Sequence, residues 1–259
     1  RRINILHGYY SPHRYITDNL DKIHTAGVHC NVEQAIKATL VLDLEKSFHF
    51  HMEQGWEDTI VKNAKYPFWI GIDKPKLKNN YDHLLHIPNF YEFKHNKDVV
   101  DNNIVGFAAR METRKCPHFL QGIKSELTTD PKDVLWWKRN LDIDTTDWKI
   151  YKFNYEFLGK FYERGWGISH SAHIYEPFGY SIFQAIDYGK LPILAKDWLP
   201  KYDYPFRAQS PEEFKEQYET ICKLSTKERQ EYLVPLRDYL RKFDNKQQWA
   251  EQLLKLYNE

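Results

Sequence analysis

The stretch from Trp166 to Lys196, WGISHSAHIYEPFGYSIFQAIDYGKLPILAK, constrains the fold more than any other part of the sequence. It reads as a strand over Gly167 to His170, a loop, a helix over Tyr180 to Tyr188, and a second strand over Leu191 to Ala195. LPILA is apolar throughout, which suits a strand covered on both faces. Gly189 falls where a helix ending at Tyr188 needs a left-handed cap. Such strand, helix, strand alternation builds parallel sheets with helical crossovers.

The same alternation recurs along the chain. Upstream, short apolar or amphipathic segments fall at Ile3 to His7, Thr39 to Leu44, Gln54 to Lys65, Pro67 to Ile72 and His83 to Ile87. Residues 88–103, IPNFYEFKHNKDVVDN, are polar and read as a linker between two lobes. Beyond them the pattern predicts a strand at Ile104 to Ala109 and a helix near Pro117 to Leu127. A charged segment runs on through Trp148, then a strand near Ile150 to Phe153 and a helix from Tyr155 to Arg164. Apolar positions between Thr226 and Asn258 recur at helical spacing, broken by Pro235 and by Asp244-Asn245. The expected division is a first lobe with its linker at 1–102, a second lobe at 103–240 and a returning helix at 241–259.

Composition narrows the function classes. With 42% hydrophobic and 16% aromatic residues the 259-residue chain has the material for two modest cores. No apolar run reaches the roughly 18 residues that span a bilayer, so the expectation is a cytoplasmic protein with no membrane partner. Cys30, Cys116 and Cys222 are odd in number and widely spaced, which suggests neither disulfides nor a zinc site. A net charge of +1 gives no overall basic excess for a polyanion, though it leaves room for a local basic groove.

Chemistry concentrates around the Gly179 helix start. A helix N-terminus offers unpaired backbone N–H groups and a positive dipole end, and glycine lets a ligand approach closely. Gly179, Tyr180 and Ser181 are therefore candidates to hold a diphosphate. Glu176, in the loop just before, can accept hydrogen bonds from sugar hydroxyls, and Gln184 shares the helical face of Tyr180 and Ser181. Arg110 and Lys115 stand directly after a buried strand and about sixty residues before Glu176, a position that marks them as candidates. His170 and His173 flank the same loop as pocket-lining candidates. Asp142-Ile143-Asp144 has the spacing of a manganese-diphosphate ligand pair but lies in a charged loop with no strong strand before it, so no metal is expected.

The string EPFGYSIFQAIDYGKLPIL resembles the donor motif of the retaining GT-B glycosyltransferases of the glycogen-synthase-like and sucrose-synthase-like group, and VGFAARMETRKCPHFLQGI is similar to that group's strand, Arg, loop, Lys and helix. The resemblance implies an α/β GT-B fold of two Rossmann-like lobes with parallel sheets and a cleft between them, the N-terminal lobe reduced. It implies sugar transfer from a nucleotide sugar, UDP-glucose, with no cofactor or metal required. By the same carry-over Glu176 contacts the hexose, Gly179, Tyr180 and Ser181 the diphosphate, Arg110 and Lys115 its charge, and Gln184 the ribose. Gln184 stands where the group has a second Glu, which replaces a charge-assisted bond by a neutral one.

The acceptor side is less distinct, because the group's N-terminal Gly-Gly signature is absent. His7, Gly8 and Tyr9 follow the first strand, at the edge where open parallel sheets bind ligands. His51, after another apolar segment, is the candidate base. Size and lobe proportions are similar to those of tailed-phage glucosyltransferases that modify 5-hydroxymethylcytosine, implying a double-stranded DNA partner carrying modified cytosine. Lys132 to Arg139 and Lys62 to Lys65 are the basic and aromatic surfaces such DNA would track. The rival expectations are a surface-glycan or lipopolysaccharide acceptor, and a catalytically silent nucleotide-sugar-binding module.

Overall fold

The computed structural model describes residues 71–73, 85–174, 176 and 178–258, together with the backbone of four short strands before residue 71. Two compact units divide the chain: Arg1–Phe90 with Asn245–Glu259, and Tyr91–Asp244.

In the first unit, strands β1 (Ile5–Gly8), β2 (Thr25–His29), β3 (Ser47–His51), β4 (Phe68–Trp69) and β5 (Leu85–His86) form a parallel sheet in sequential order. The sequence pattern shows no sign of β2, and His51, read as following an apolar segment, is the last residue of β3. Thr39 to Leu44 and Gln54 to Lys65 lie outside the described residues. The terminal helix of the chain, Lys246–Asn258, belongs to this unit, where Trp249 packs against Phe90 with ring centroids 5.2 Å apart.

The second unit is a six-stranded parallel sheet. Its strands are β6 (Val105–Ala108), β7 (Ser125–Thr129), β8 (Trp148–Lys152), β9 (Ile168–Ser171), β10 (Leu191–Ala195) and β11 (Arg207–Ala208), in the spatial order β11-β10-β9-β6-β7-β8. From β6 the chain winds outward through β7 to β8, then returns to start again at β9 on the other side. That is the doubly wound order, and its direction reverses between β6 and β9. Helices α1 (Pro131–Leu141), α2 (Tyr155–Tyr162), α3 (Tyr180–Asp187), α4 (Pro211–Cys222) and α5 (Thr226–Leu240) accompany the sheet. With the terminal helix as α6, these are the α-helices among the described residues.

The expected helix near Pro117 to Leu127 is not there. Cys116 and Gly122 both adopt positive φ, so the segment closes as two short 3-10 turns, Thr113–Lys115 and Pro117–Leu120, and then extends into β7. Cys116 is fully buried, and that burial pushes its thiol up to about 11, in keeping with an inert structural thiol. The expected break at Pro235 is also absent. Pro235 and Glu231, whose carbonyl loses its partner, both lie on the solvent face of α5, so water can replace the lost bond. Gly189 has φ +76° after α3, as its place between helix and strand requires.

The polar stretch that reads as a linker is, from Tyr91 onward, an extended strap built into the second unit. The buried Asp187 carboxylate at the end of α3 accepts backbone N–H bonds from Lys94 (3.1 Å), His95 (3.0 Å) and Asn96 (2.7 Å), and the Tyr91 hydroxyl at 3.2 Å. Further along, the N–H of Val100 donates to the Gly189 carbonyl at 2.9 Å, and Arg237 donates to the carbonyl of Lys97. The strap thereby fixes the C-terminal end of α3 while its N-terminal end faces the candidate site.

Candidate functional site

In a doubly wound sheet the loops leaving adjacent strands of opposite winding diverge, and a crevice forms at the carboxyl ends between them. Here those loops are residues 109–124 after β6 and 172–179 after β9. They carry most of the residues that the donor motif singles out. One backbone bond joins them, Ile174 N–H donating to the Arg114 carbonyl at 2.8 Å, and the His170 ring nitrogen Nε2, from the end of β9, bonds to the Cys116 carbonyl at 2.9 Å. Lys115 sits between those two anchored residues.

The Lys115 ammonium pairs with the Glu176 carboxylate, with the two side chains only 14% and 12% exposed. Burial alone would raise the Glu176 carboxyl. The neighbouring His173 ring and Lys115 reverse that and hold it well below the usual carboxylate range. Nδ1 of His173 is 3.6 Å from Oε2 of Glu176, just outside hydrogen-bonding range, so Lys115 is the effective partner.

Gly179 caps α3 from the left-handed region, at φ +82° and ψ +57°. A Cβ on it would come within 2.8 Å of Ile182 Cδ1 and 3.1 Å of Glu176 Cγ. Glycine is therefore required both by backbone and by space, and Glu176 lies directly against the helix start. Within α3 the first available carbonyl, that of Gly179, is taken by Ile182 and Phe183. The N–H groups of Gly179, Tyr180 and Ser181 precede any carbonyl of their own helix, and among the described residues no acceptor takes them. Tyr180 is exposed, Ser181 and Gln184 half-buried.

Not every expected residue joins this corner. Arg110 pairs with Glu112 at 3.0 Å, and Arg114 pairs with the same carboxylate at 2.8 Å. Glu112 and Arg114 were not singled out from sequence, though both stand within the charged run METRK. His170 is 2% exposed and packs among Phe107, Phe119 and Phe214. Its ring holds the loop from beneath and does not line an open pocket. Burial, with help from His173, pushes it down to about 3, so it is neutral. Asp144 is occupied by the N–H and hydroxyl of Thr146, at 2.9 and 2.6 Å, and Asp142 is the left-handed cap of α1.

Of the acceptor-side candidates, His7 and Gly8 end β1 and His51 ends β3, at the carboxyl edge of the first sheet. Their side chains, and all of Tyr9, lie outside the described residues, as does the segment Lys62 to Lys65.

No protein-family model and no curated protein matches the sequence. Solved structures do match. A variant of S. aureus TarM in complex with fondaparinux, alpha-GlcNAc-glycerol and UDP superposes with a TM-score of 0.68 at 14% identity, over 96% of this chain and 58% of that one. Sucrose-phosphate synthase from Thermosynechococcus elongatus gives 0.67 at 12% identity, over 94% and 75%. The pneumococcal O-GlcNAc transferase GtfA in complex with UDP and GlcNAc gives 0.61 at 11%, over 95% and 59%. The fold is GT-B. This GT-B chain spans under two thirds of the length of TarM and GtfA. At 11–14% identity the likeness to these structures is one of architecture.

Proposed function

We propose that this chain is a glycosyltransferase that transfers glucose from UDP-glucose, with the donor held by residues 103–240 and the acceptor served by residues 1–102 and the helix of 241–259. The observation that carries the reading is the meeting of Lys115, Glu176 and the open N-terminus of α3 at the reversal point of the second sheet.

The chemistry follows from that corner. As the bond from sugar C1 to the β-phosphate oxygen breaks, its electron pair stays with the phosphate. Lys115 and the N–H groups of Gly179, Tyr180 and Ser181 stabilise the growing charge, and Arg110 adds to them when it turns from Glu112 to the diphosphate. Glu176, kept ionised, accepts hydrogen bonds from hexose hydroxyls and stabilises the oxocarbenium-like sugar. Gln184 addresses the ribose. The acceptor oxygen bonds to C1 and gives up its proton, with His51 as the proposed base.

For the acceptor we propose DNA carrying 5-hydroxymethylcytosine, already glucosylated or not. Support comes from α1, where Lys132, Leu135, Trp136 and Arg139 recur at helical spacing and are all exposed, Trp136 by 55%. On its inner side the same helix uses Trp137 to donate to the Met111 carbonyl at 2.9 Å, next to Arg110. A glycan acceptor is the second reading, favoured by the alpha-GlcNAc-glycerol bound to TarM. Incubating the protein with radiolabelled UDP-glucose and hydroxymethylated DNA, with and without prior glucosylation, tests the choice. Label in DNA with release of UDP is expected. Label only in a glycan acceptor would replace the DNA reading, and donor binding with no turnover on either would leave a silent module.

A further inference from the structure

Among the described residues whose buried polar atoms lack a partner, His173 is the one side chain left with two such atoms. It is 1% exposed, and neither ring nitrogen has a hydrogen-bond partner. Burial and the nearby Lys115 ammonium push it down to about 4, so the ring is neutral and carries one N–H donor. The neighbouring His170, at a centroid distance of 5.6 Å, has committed its Nε2 to the Cys116 carbonyl. The Phe107 ring stands nearly perpendicular to both, at 79° and 81°. A buried donor left unmade costs stability, and such groups are rare enough to need a reason.

The reason lies 3.6 Å away, at Oε2 of Glu176. In the structure that carboxylate is satisfied by Lys115. The proposed donor brings a diphosphate, which competes for the same ammonium. If Lys115 turned to the diphosphate and nothing replaced it, Glu176 would be left as an enclosed, unpaired carboxylate. It would then tend to take up a proton and lose its attraction for the electron-poor sugar. A shift of less than 1 Å would bring His173 Nδ1 within hydrogen-bonding range.

We infer that His173 is a positioning residue that takes over Glu176 from Lys115 when the donor binds. This rests on the donor reading given above. The role fixes the ring as the Nδ1–H tautomer, leaves one Glu176 oxygen for the hexose, and separates two tasks that Lys115 cannot perform together. His173 itself touches neither the diphosphate nor the sugar in this scheme.

The test compares His173→Phe, which fills the space without a donor, with His173→Asn, whose amide can place an N–H near Nδ1. Thermal unfolding is followed with and without UDP-glucose, alongside steady-state transfer or UDP-glucose hydrolysis. Unliganded His173→Phe should melt at or above the wild-type temperature, because it removes an unsatisfied polar group. Its kcat should fall about 10- to 100-fold with KM changed by less than about threefold, and His173→Asn should recover at least about tenfold of that loss. A lower melting temperature in both variants, wild-type kcat in His173→Phe, or no recovery in His173→Asn would overturn the inference. If the wild-type protein itself shows neither stabilisation nor turnover with UDP-glucose, the donor reading falls and takes this inference with it. Wild-type binding with insensitive variants sinks the inference alone.

Discussion

Lys115 and Glu176, 61 positions apart, pair at the point where the winding of the second sheet reverses. Each leaves the carboxyl end of a different strand, β6 for Lys115 and β9 for Glu176. The residues on either side of Lys115 are anchored, Arg114 by the N–H of Ile174 in the β9 loop and Cys116 by the ring of His170 in β9 itself. The proposed cation for a leaving diphosphate and the proposed carboxylate for a sugar are thus held by backbone already fixed in place, so that in this proposal little reorganisation is needed when charge moves.

Glu176→Gln keeps the shape of the side chain and removes its charge. The expected loss in kcat is about 10²- to 10³-fold, measured by release of UDP from UDP-glucose, with the variant still folding cooperatively. Turnover within threefold of wild type would take Glu176 out of the reaction.

Gly179→Ala tests the helix start. The left-handed backbone alone should cost about 1–2 kcal/mol, and the added methyl would press on Ile182 Cδ1 and Glu176 Cγ. Urea unfolding should show that loss, and donor affinity should fall with it, since the same atom displaces Glu176. An unfolding midpoint equal to that of wild type would contradict the geometry.

Much of the second unit was legible from the sequence, for reasons that particular residues make plain. LPILA is apolar because β10 is buried along its whole length, and Gly189 marks the cap that feeds it. β7 was hidden because SELTT looks like a loop, yet Ser125, Thr128 and Thr129 are buried and Glu126 is bound by Arg164. The start of helix α4 is marked in the sequence by Ser210 and Glu213, which have the spacing of a capping box, and the Ser210 side chain does accept from the Glu213 N–H. The strap on Asp187 had no signal, because its partners are backbone N–H groups that side-chain patterns do not report.

Asp187→Ala should therefore be costly for its position at the end of a short helix. Three backbone donors and the Tyr91 hydroxyl lose their acceptor. An expected destabilisation of about 3–5 kcal/mol should appear in urea unfolding, with faster amide exchange at Lys94, His95 and Asn96. Retained protection at those amides would show that the strap is held by other contacts.

Stability should fall on mild acidification. His170 and His173 are pushed down to about 3 and about 4, chiefly by burial. In the unfolded chain each takes up a proton near the ordinary histidine value, so the folded state loses ground as pH drops below about 6.5. The Glu176 carboxyl, held low when folded, adds a loss of the same sign at still lower pH. Urea unfolding at pH 7 and pH 4.5 should differ by on the order of 2 kcal/mol per histidine. His170→Phe should remove a share of that slope, and an unchanged slope would mean that His170 titrates freely.

Calorimetric titration of UDP-glucose into the wild-type protein, Arg110→Ala and Lys115→Ala bears most directly on whether the β6 and β9 loops hold a nucleoside diphosphate sugar. Saturable binding to wild type is expected, weakened at least about tenfold in Lys115→Ala and to a smaller degree in Arg110→Ala. Equal affinity in Lys115→Ala and wild type would contradict the assignment.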